Sequence, residues 1–201
     1  MKTAHSPASD KENFKPGTLL YPLPAVLVGC GGSPQDYNLI TIAWTGILCT
    51  EPPLCYIAVR PERHSYGLID RYGEFTINLT TASMAKVTDW CGVKSGRDLD
   101  KFAECGLSVQ ACKEIKAPAV KESPLSLECR VRQRIPLGSH EMFIAEIVNV
   151  LADKKYLNPE SGKFDLAKSG LLVYEHGNYY QTGDYIGHFG FSVRKKKTPR
   201  R

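Results

Sequence analysis

The sequence predicts a mainly β fold with a few inserted helices, and three observations predict it. Short apolar stretches rich in β-branched residues recur along the chain. Turn-forming residues punctuate them, and helical periodicity is confined to three short segments. Many strands with few helices make a barrel or a sandwich, because a sheet with one apolar face must close on itself or pack on another layer. A chain of 201 residues is long enough for one substantial core.

After a polar arm over residues 1–16, β stretches are expected at residues 25–30, 37–45, 54–59 and 74–79. Gly31, Gly32, Ser33 and Pro34 separate the first two, and Glu51, Pro52 and Pro53 precede the third. Connections this short are expected to join adjacent strands. The clearest alternation lies in residues 125–135. There Leu125, Leu127, Cys129, Val131 and Ile135 interleave with Ser126, Glu128, Arg130, Arg132 and Arg134, so one row should face inward and the other water. Pro136, Leu137, Gly138 and Ser139 turn the chain into residues 142–150. That stretch is apolar on both faces apart from Glu146 and Asn149, the pattern of a strand covered on both sides. A last β candidate at residues 170–174 leads into an aromatic stretch with Tyr179, Tyr180 and Tyr185. Helices are expected at about residues 65–72, 83–91 and 98–104, the third capped by Asp98 and ended by Gly106. The patterned body, residues 17–193, reads as one domain followed by a basic tail, residues 194–201.

The formal charge of +5 comes from that tail, whose six Lys and Arg residues, once removed, leave −1. A nearly neutral body argues against nucleic acid, whose binders spread cations over a folded face to track phosphates. The seven cysteines are odd in number and none is spaced C-x-x-C, so buried thiols in a reducing compartment are expected, rather than a zinc or dithiol site. No apolar run is long enough to span a bilayer and the opening residues lack a signal-peptide core, which predicts a cytoplasmic protein with no membrane partner.

The sequence contains no G-x-S-x-G elbow, no H-E-x-x-H, no P-loop and no metal-ligand cluster, and residues 29–34, G-C-G-G-S-P, fail the dinucleotide fingerprint. Candidate chemistry lies elsewhere. On a strand, Thr41, Ala43 and Thr45 share one face, small enough for a flat ring to approach, while Ile40, Ile42 and Trp44 share the other. The competing reading is a plain barrel strand with Trp44 as core filling. Arg60, Arg63, His64 and Ser65 open the first helix, where free N–H groups and cations favour a phosphate, although surface arginines beside a capped helix would look the same. Lys94 or Lys101, in a basic segment with Gly96 and Arg97, can reach a phosphate or a ligand carbonyl, although a solvated loop would look the same. His140, at a strand start after Gly138, can donate to a ligand or merely bond its own turn.

The order of the motifs carries more than any one of them. N-x-x-T-I-A-W-T-G from Asn38, E-P-P-L from Glu51, R-P-E-R-H-S-Y from Arg60, G-E-F-T-I-N-L from Gly73, D-K-F from Asp100, G-S-H-x-M-F-I-A-E from Gly138 and I-G-H-F-G-F-S-V from Ile186 follow in succession. Together, over roughly residues 16 to 195, they resemble the flavin reductase-like family, particularly its flavoredoxin branch. The resemblance implies a Greek-key split β-barrel homodimer holding FMN without covalent attachment, near or across the subunit interface. Asn38, Thr41, Trp44, Thr45, Cys49 and Thr50, beside the small Ala43, are then the flavin wall. Arg60, His64 and Ser65, with Asn78 and Leu79, fall in the phosphate and ribityl region. Lys101 and His140 match cofactor-contacting positions, and Tyr174 joins them from the C-terminal part. Two departures stand out: Ala145 where many relatives have glycine, and Cys49 where serine is common, which leaves open a redox-sensitive thiol beside the flavin.

The implied activity is hydride transfer from NADH or NADPH to FMN, with electrons passed on to an acceptor protein or small molecule. The cofactor carries that chemistry and the protein orients and tunes it. The alternative is an electron-transfer protein reduced by a redox partner rather than by nicotinamide. A non-flavin module anchored by the basic tail would instead be colourless.

Overall fold

A computed structural model describes residues 10–193, so the basic tail and the first nine residues lie outside the described residues. The strands, in chain order, are β1 (Leu23–Pro24), β2 (Val26–Cys30), β3 (Asn38–Ile42), β4 (Thr45–Thr50), β5 (Pro53–Val59), β6 (Glu74–Leu79), β7 (Val109–Gln110), β8 (Ala119–Val120), β9 (Leu125–Pro136), β10 (Glu141–Ala152), β11 (Leu172–Glu175) and β12 (Asn178–Gln181). Three helices interrupt them: α1 (His64–Tyr72), α2 (Ala85–Val93) and α3 (Lys101–Cys105).

Seven strands form one antiparallel sheet in the order β3-β2-β6-β9-β10-β5-β4. β3 and β4 stand at opposite ends of that order, yet only Ala43 and Trp44 separate them in the chain. The sheet therefore curls until β3 comes against β5, and the N–H of Ala58, donating to the Trp44 carbonyl at 2.9 Å, extends the β4–β5 pairing into the break. This corrects one expectation: the β stretch at residues 37–45 is not one strand but breaks at Ala43–Trp44. The short connections expected to join adjacent strands do so, β2 to β3 and β4 to β5. A second sheet, β1-β11-β12, lies alongside. The result is the split barrel expected from the resemblance.

Inward-facing Val26, Val28, Ile40, Ile42, Ile57, Phe75 and Phe143 fill the barrel. Each such buried side chain contributes roughly 1.5–3 kcal/mol relative to exposure. The outer face of β2 and β3 is apolar as well: Leu27 and Leu39 pack against Met84, just before α2, Cys91 of α2, Phe102 of α3 and Val120. Period two thus gives these strands two buried faces, one in the barrel and one under helices.

The alternation on β9 holds only in part. Ser126 and Glu128, expected in water, are buried, because the segment before β9 folds over the outside of the sheet. The Glu128 carboxylate accepts from the backbone N–H groups of Lys113 and Glu114 and from Asn149 Nδ2, at 2.7–3.0 Å. β10 departs the other way: only Phe143 and Ala145 are buried along it, so it is not covered on both sides. The third helix is shorter than expected and is capped by Asp100, whose carboxylate accepts from the N–H groups of Phe102 and Ala103, rather than by Asp98. Gly106 closes it in the left-handed region, as expected.

Candidate functional site

Two adjoining cavities open where β3 breaks. The first, of about 440 Å³, is walled by Thr41, Ala43 and Trp44 at the break, by Ala58, Arg60 and His140, by Asp89, Gly92 and Val93 of α2, and by Tyr174 and Tyr179 of the small sheet. The rings of Trp44 and His140 are parallel, with 6.3 Å between centroids. Tyr179 spans the mouth to α2, donating to Asp89 Oδ1 at 3.2 Å, and burial with the Asp89 charge pushes its phenol up to about 12. Gly92 matters by what it lacks: a Cβ there would stand 3.2 Å from the Thr41 side chain.

The second cavity, about 560 Å³, shares Ile40, Arg60 and Arg63 with the first and adds His64, Ser65, Lys94, Gly96, Arg97 and Lys101, with Glu62 its single acid. Five of its lining side chains are Arg or Lys, so an anion is the ligand its field favours. The α1 N-terminus opens here, and no side chain caps its first turn. Free N–H groups at such an end, with the helix dipole, form an anion site. Burial, and then the charges of Arg97 and Lys101, hold His64 below the ordinary histidine value. His140 is lowered too, by burial first and then by Arg60. Both shifts favour the neutral ring.

Lys101 is almost wholly buried, and its ammonium donates to the Leu39 and Cys91 carbonyls, each at 2.8 Å. Burial lowers its pKa. Beneath the cavity, Asn38 donates through Nδ2 to Ser65 Oγ at 2.7 Å, while its buried Oδ1 has no partner. Gly96 closes over this amide so tightly that a Cβ would stand 1.9 Å from Oδ1.

The structure thus brings together Thr41, Ala43, Trp44, Arg60, His140 and Tyr174 in one cavity, and Arg60, His64, Ser65, Lys94 and Lys101 in the other, with Asn38 directly beneath. Other named residues stand apart in the single chain. Thr45 is buried and donates to the Tyr56 carbonyl at 2.6 Å. Asn78 uses its amide on the Leu27 carbonyl, Thr76, Ser126 and the Val120 N–H, inside the wall. Leu79 lines a separate apolar cavity under the small sheet. Cys49 and Thr50 lie on β4, at the edge of the sheet. Thr41 has its hydroxyl bonded to the Thr88 carbonyl, so its small face packs on α2. Asp89 and Gly92 went unnamed in the sequence reading, and Tyr179 entered it only as part of an aromatic stretch. Gly92, one residue past the helix expected at residues 83–91, reads as a helix end, and an exposed Asp89 carries no signal of its own.

This architecture, a curled antiparallel sheet with an aromatic cavity opening into a cationic one, defines a split-barrel protein. The flavin reductase like domain profile matches residues 18–183, and the chain belongs to the flavin reductase-like family, in its flavoredoxin branch. The flavoredoxin of Desulfovibrio vulgaris (Miyazaki F) superimposes with a TM-score of 0.85 at 30% identity, over 92% of this chain and 100% of its own. A flavoredoxin from Methanosarcina acetivorans gives 0.83 at 29% identity, with the same coverage. A relative in Archaeoglobus fulgidus, described only as an uncharacterized protein, is 32% identical over 163 residues, 81% of this chain and 89% of the relative. A flavin is the cofactor the family supports. The residues fit one on their own account: an uncapped helix start among cations for a phosphate, and the orphaned Asn38 Oδ1 for a hydroxyl. Among the described residues no three metal-ligating side chains converge, and no helix is long and apolar enough to cross a membrane.

Proposed function

We propose that this chain is a cytoplasmic FMN-dependent oxidoreductase that takes hydride from NADH or NADPH and delivers electrons to an acceptor, working as a homodimer. The observation that carries the reading is the continuity of the two cavities through Ile40, Arg60 and Arg63. One end is shaped and lined for a ring, the other charged for a phosphate.

In this reading Arg60, Arg63 and the first N–H groups of α1 bind the phosphate, with Lys94 and Arg97 adding long-range attraction. Asn38 Oδ1 accepts from a ribityl hydroxyl. Trp44 and His140 set the plane of the ring. Ser139 Oγ lies 3.0 Å from His140 Nδ1, and the tautomer in which Nδ1 accepts leaves the ring proton on Nε2 as a donor to the flavin edge. Lys101, committed to two backbone carbonyls, holds α3 against β3 and α2 and adds charge at the phosphate end. Tyr174 and Tyr179 roof the cavity and limit water. The chemistry a flavin supplies when bound is hydride acceptance at N5 and onward electron transfer.

A second reading, an electron-transfer flavoprotein reduced by a protein partner, is favoured by the structural likeness to flavoredoxins. Two measurements test and separate these. Protein purified without added cofactor should be yellow and release FMN on denaturation; colourless protein that does not take up FMN ends both readings. FMN-loaded protein should then oxidise NADH or NADPH in steady state with an added acceptor. Turnover with neither nucleotide, together with rapid reduction by a reduced ferredoxin-type protein, selects the second.

A further inference from the structure

Cys91 and Cys105 bracket the segment that walls the cationic cavity. Cys91 lies on α2, lines that cavity and is buried; Cys105 is the last residue of α3 and half-buried. Their sulfurs are 3.7 Å apart, in contact but unbonded. Lys94, Gly96, Arg97 and Lys101 all fall between them in sequence and line the cavity. Lys101 and Cys105 share one face of α3, four residues apart, and Lys101 Nζ bonds the Cys91 carbonyl at 2.8 Å. A bond between the sulfurs would close a loop around this wall and fasten α3 to α2 on both sides of the ammonium.

The molecule holds a second close pair that serves as its own comparison. Cys55 and Cys129, 3.6 Å apart, are both sealed in the barrel core on strands that β10 separates. No oxidant reaches them without unfolding. Cys105, by contrast, is open to small molecules, with Cys91 directly behind it.

We propose that Cys91 and Cys105 form a redox site that a hydroperoxide oxidises to a disulfide, stapling the wall of the cationic cavity. The Cys105 sulfur attacks the peroxide O–O bond, giving a sulfenic acid and one water. The Cys91 sulfur then displaces the sulfenic oxygen as a second water. Two thiols lose two electrons and two protons, and one hydrogen peroxide becomes two waters. The Lys101 charge beside both sulfurs favours their thiolates against the burial that opposes them. Burial, and then the neighbouring Cys105, push the Cys91 thiol up to about 12, and Cys105 is the more exposed of the two, so the first attack falls to Cys105. A consequence for the cofactor rests on the FMN reading above: a stapled wall releases the phosphate end more slowly.

Full-length protein is exposed to a small molar excess of hydrogen peroxide, alkylated and mapped as peptides without reduction. The expected result is a Cys91–Cys105 cross-linked peptide, loss of two of the seven thiols and a mass lower by two hydrogens. Dithiothreitol should reverse all three. Oxidised wild type should melt several degrees above reduced wild type, and C105S should show neither the cross-link nor a peroxide-dependent shift. No thiol loss, a different pairing, or irreversible sulfinic acid at Cys105 overturns the proposal. FMN release should be at least several-fold slower from the oxidised form. Equal rates overturn the stapling, whereas failure of both forms to bind FMN overturns the cofactor reading and leaves the cross-link result to stand or fall alone.

Discussion

At Arg60 the two cavities meet, and its guanidinium is half-exposed with only a long contact to Glu62, 3.6 Å away. It is therefore free to turn onto a phosphate, as a residue locked in a tight ion pair is not. A charge-assisted contact contributes on the order of 1.5–3 kcal/mol, so Arg60→Ala should weaken FMN about ten-fold to a hundred-fold. Riboflavin, lacking the phosphate, should lose almost nothing, as fluorescence-quenching titrations of both ligands will read. Equal losses would mean that Arg60 supports the ring or the fold. His64 gives an independent reading of the same charge. Its pKa is lowered by burial and by two neighbouring cations, so a bound phosphate dianion should move it back up, and riboflavin should not. An NMR titration of the His64 ring with each flavin checks this. The sign carries into stability: in the free protein His64 binds its proton less readily folded than unfolded, so its contribution is full above the unfolded value of about 6.5 and is lost as pH falls through the folded one. Single residues were legible here where type and neighbours agreed, as in the R-P-E-R-H-S run at the helix start. Thr45 and Asn78 were not, because polar side chains that satisfy a buried backbone look in sequence like polar side chains that await a ligand.

Among the elements, β9 shows what period two can and cannot tell. Its alternation placed the strand correctly, but the side that reads as solvent-facing carries Ser126 and Glu128, buried under the segment that precedes the strand. A pattern reports which residues share a face; what later covers that face is tertiary information. Glu128 answers three donors there, two of them backbone. Glu128→Ala should cost on the order of 3 kcal/mol in chemical denaturation, since those donors are left buried and unpaired, and Glu128→Gln, which keeps an acceptor oxygen, should cost less. A similar limit applies at β3 and β4. Sequence showed a β stretch and a small face, yet the two-residue break at Ala43–Trp44 that opens the cavity has no turn signature, because closing the barrel and not local propensity sets it. The loop carrying Gly96 is the opposite case, a local necessity: Gly96→Ala must push the loop off Asn38. It should reduce FMN affinity several-fold with little change in the melting temperature; unchanged affinity would place the ribityl chain away from Asn38.

For the molecule as a whole, the barrel leaves apolar surface that the described residues do not cover. Ile47 and Leu48 stand exposed on the edge strand β4, and along the C-terminal segment Tyr185, Ile186 and Phe189 are 76–106% exposed, with nothing among the described residues packed over them. An edge strand with apolar side chains is a pairing surface unless something covers it, and apolar segments of this extent mark contact sites. The same edge carries Cys49 and Thr50, which the family resemblance puts in the flavin wall and which lie outside both cavities here. In the homodimer proposed above, a second copy would account for both facts at once: it would bury the edge and the C-terminal aromatics, and it would bring its own β4 to this chain's cavity. Light scattering at micromolar concentration should therefore give a dimer, with an interface exceeding roughly 1,000 Å². Ile186→Asp/Phe189→Asp, which alters only exposed side chains, should shift the protein toward monomer while leaving its far-ultraviolet circular dichroism unchanged, and FMN affinity should fall with the dimer. A wild-type monomer with full FMN occupancy would contradict the shared site and assign the ring wholly to Trp44, His140 and the tyrosines of one chain.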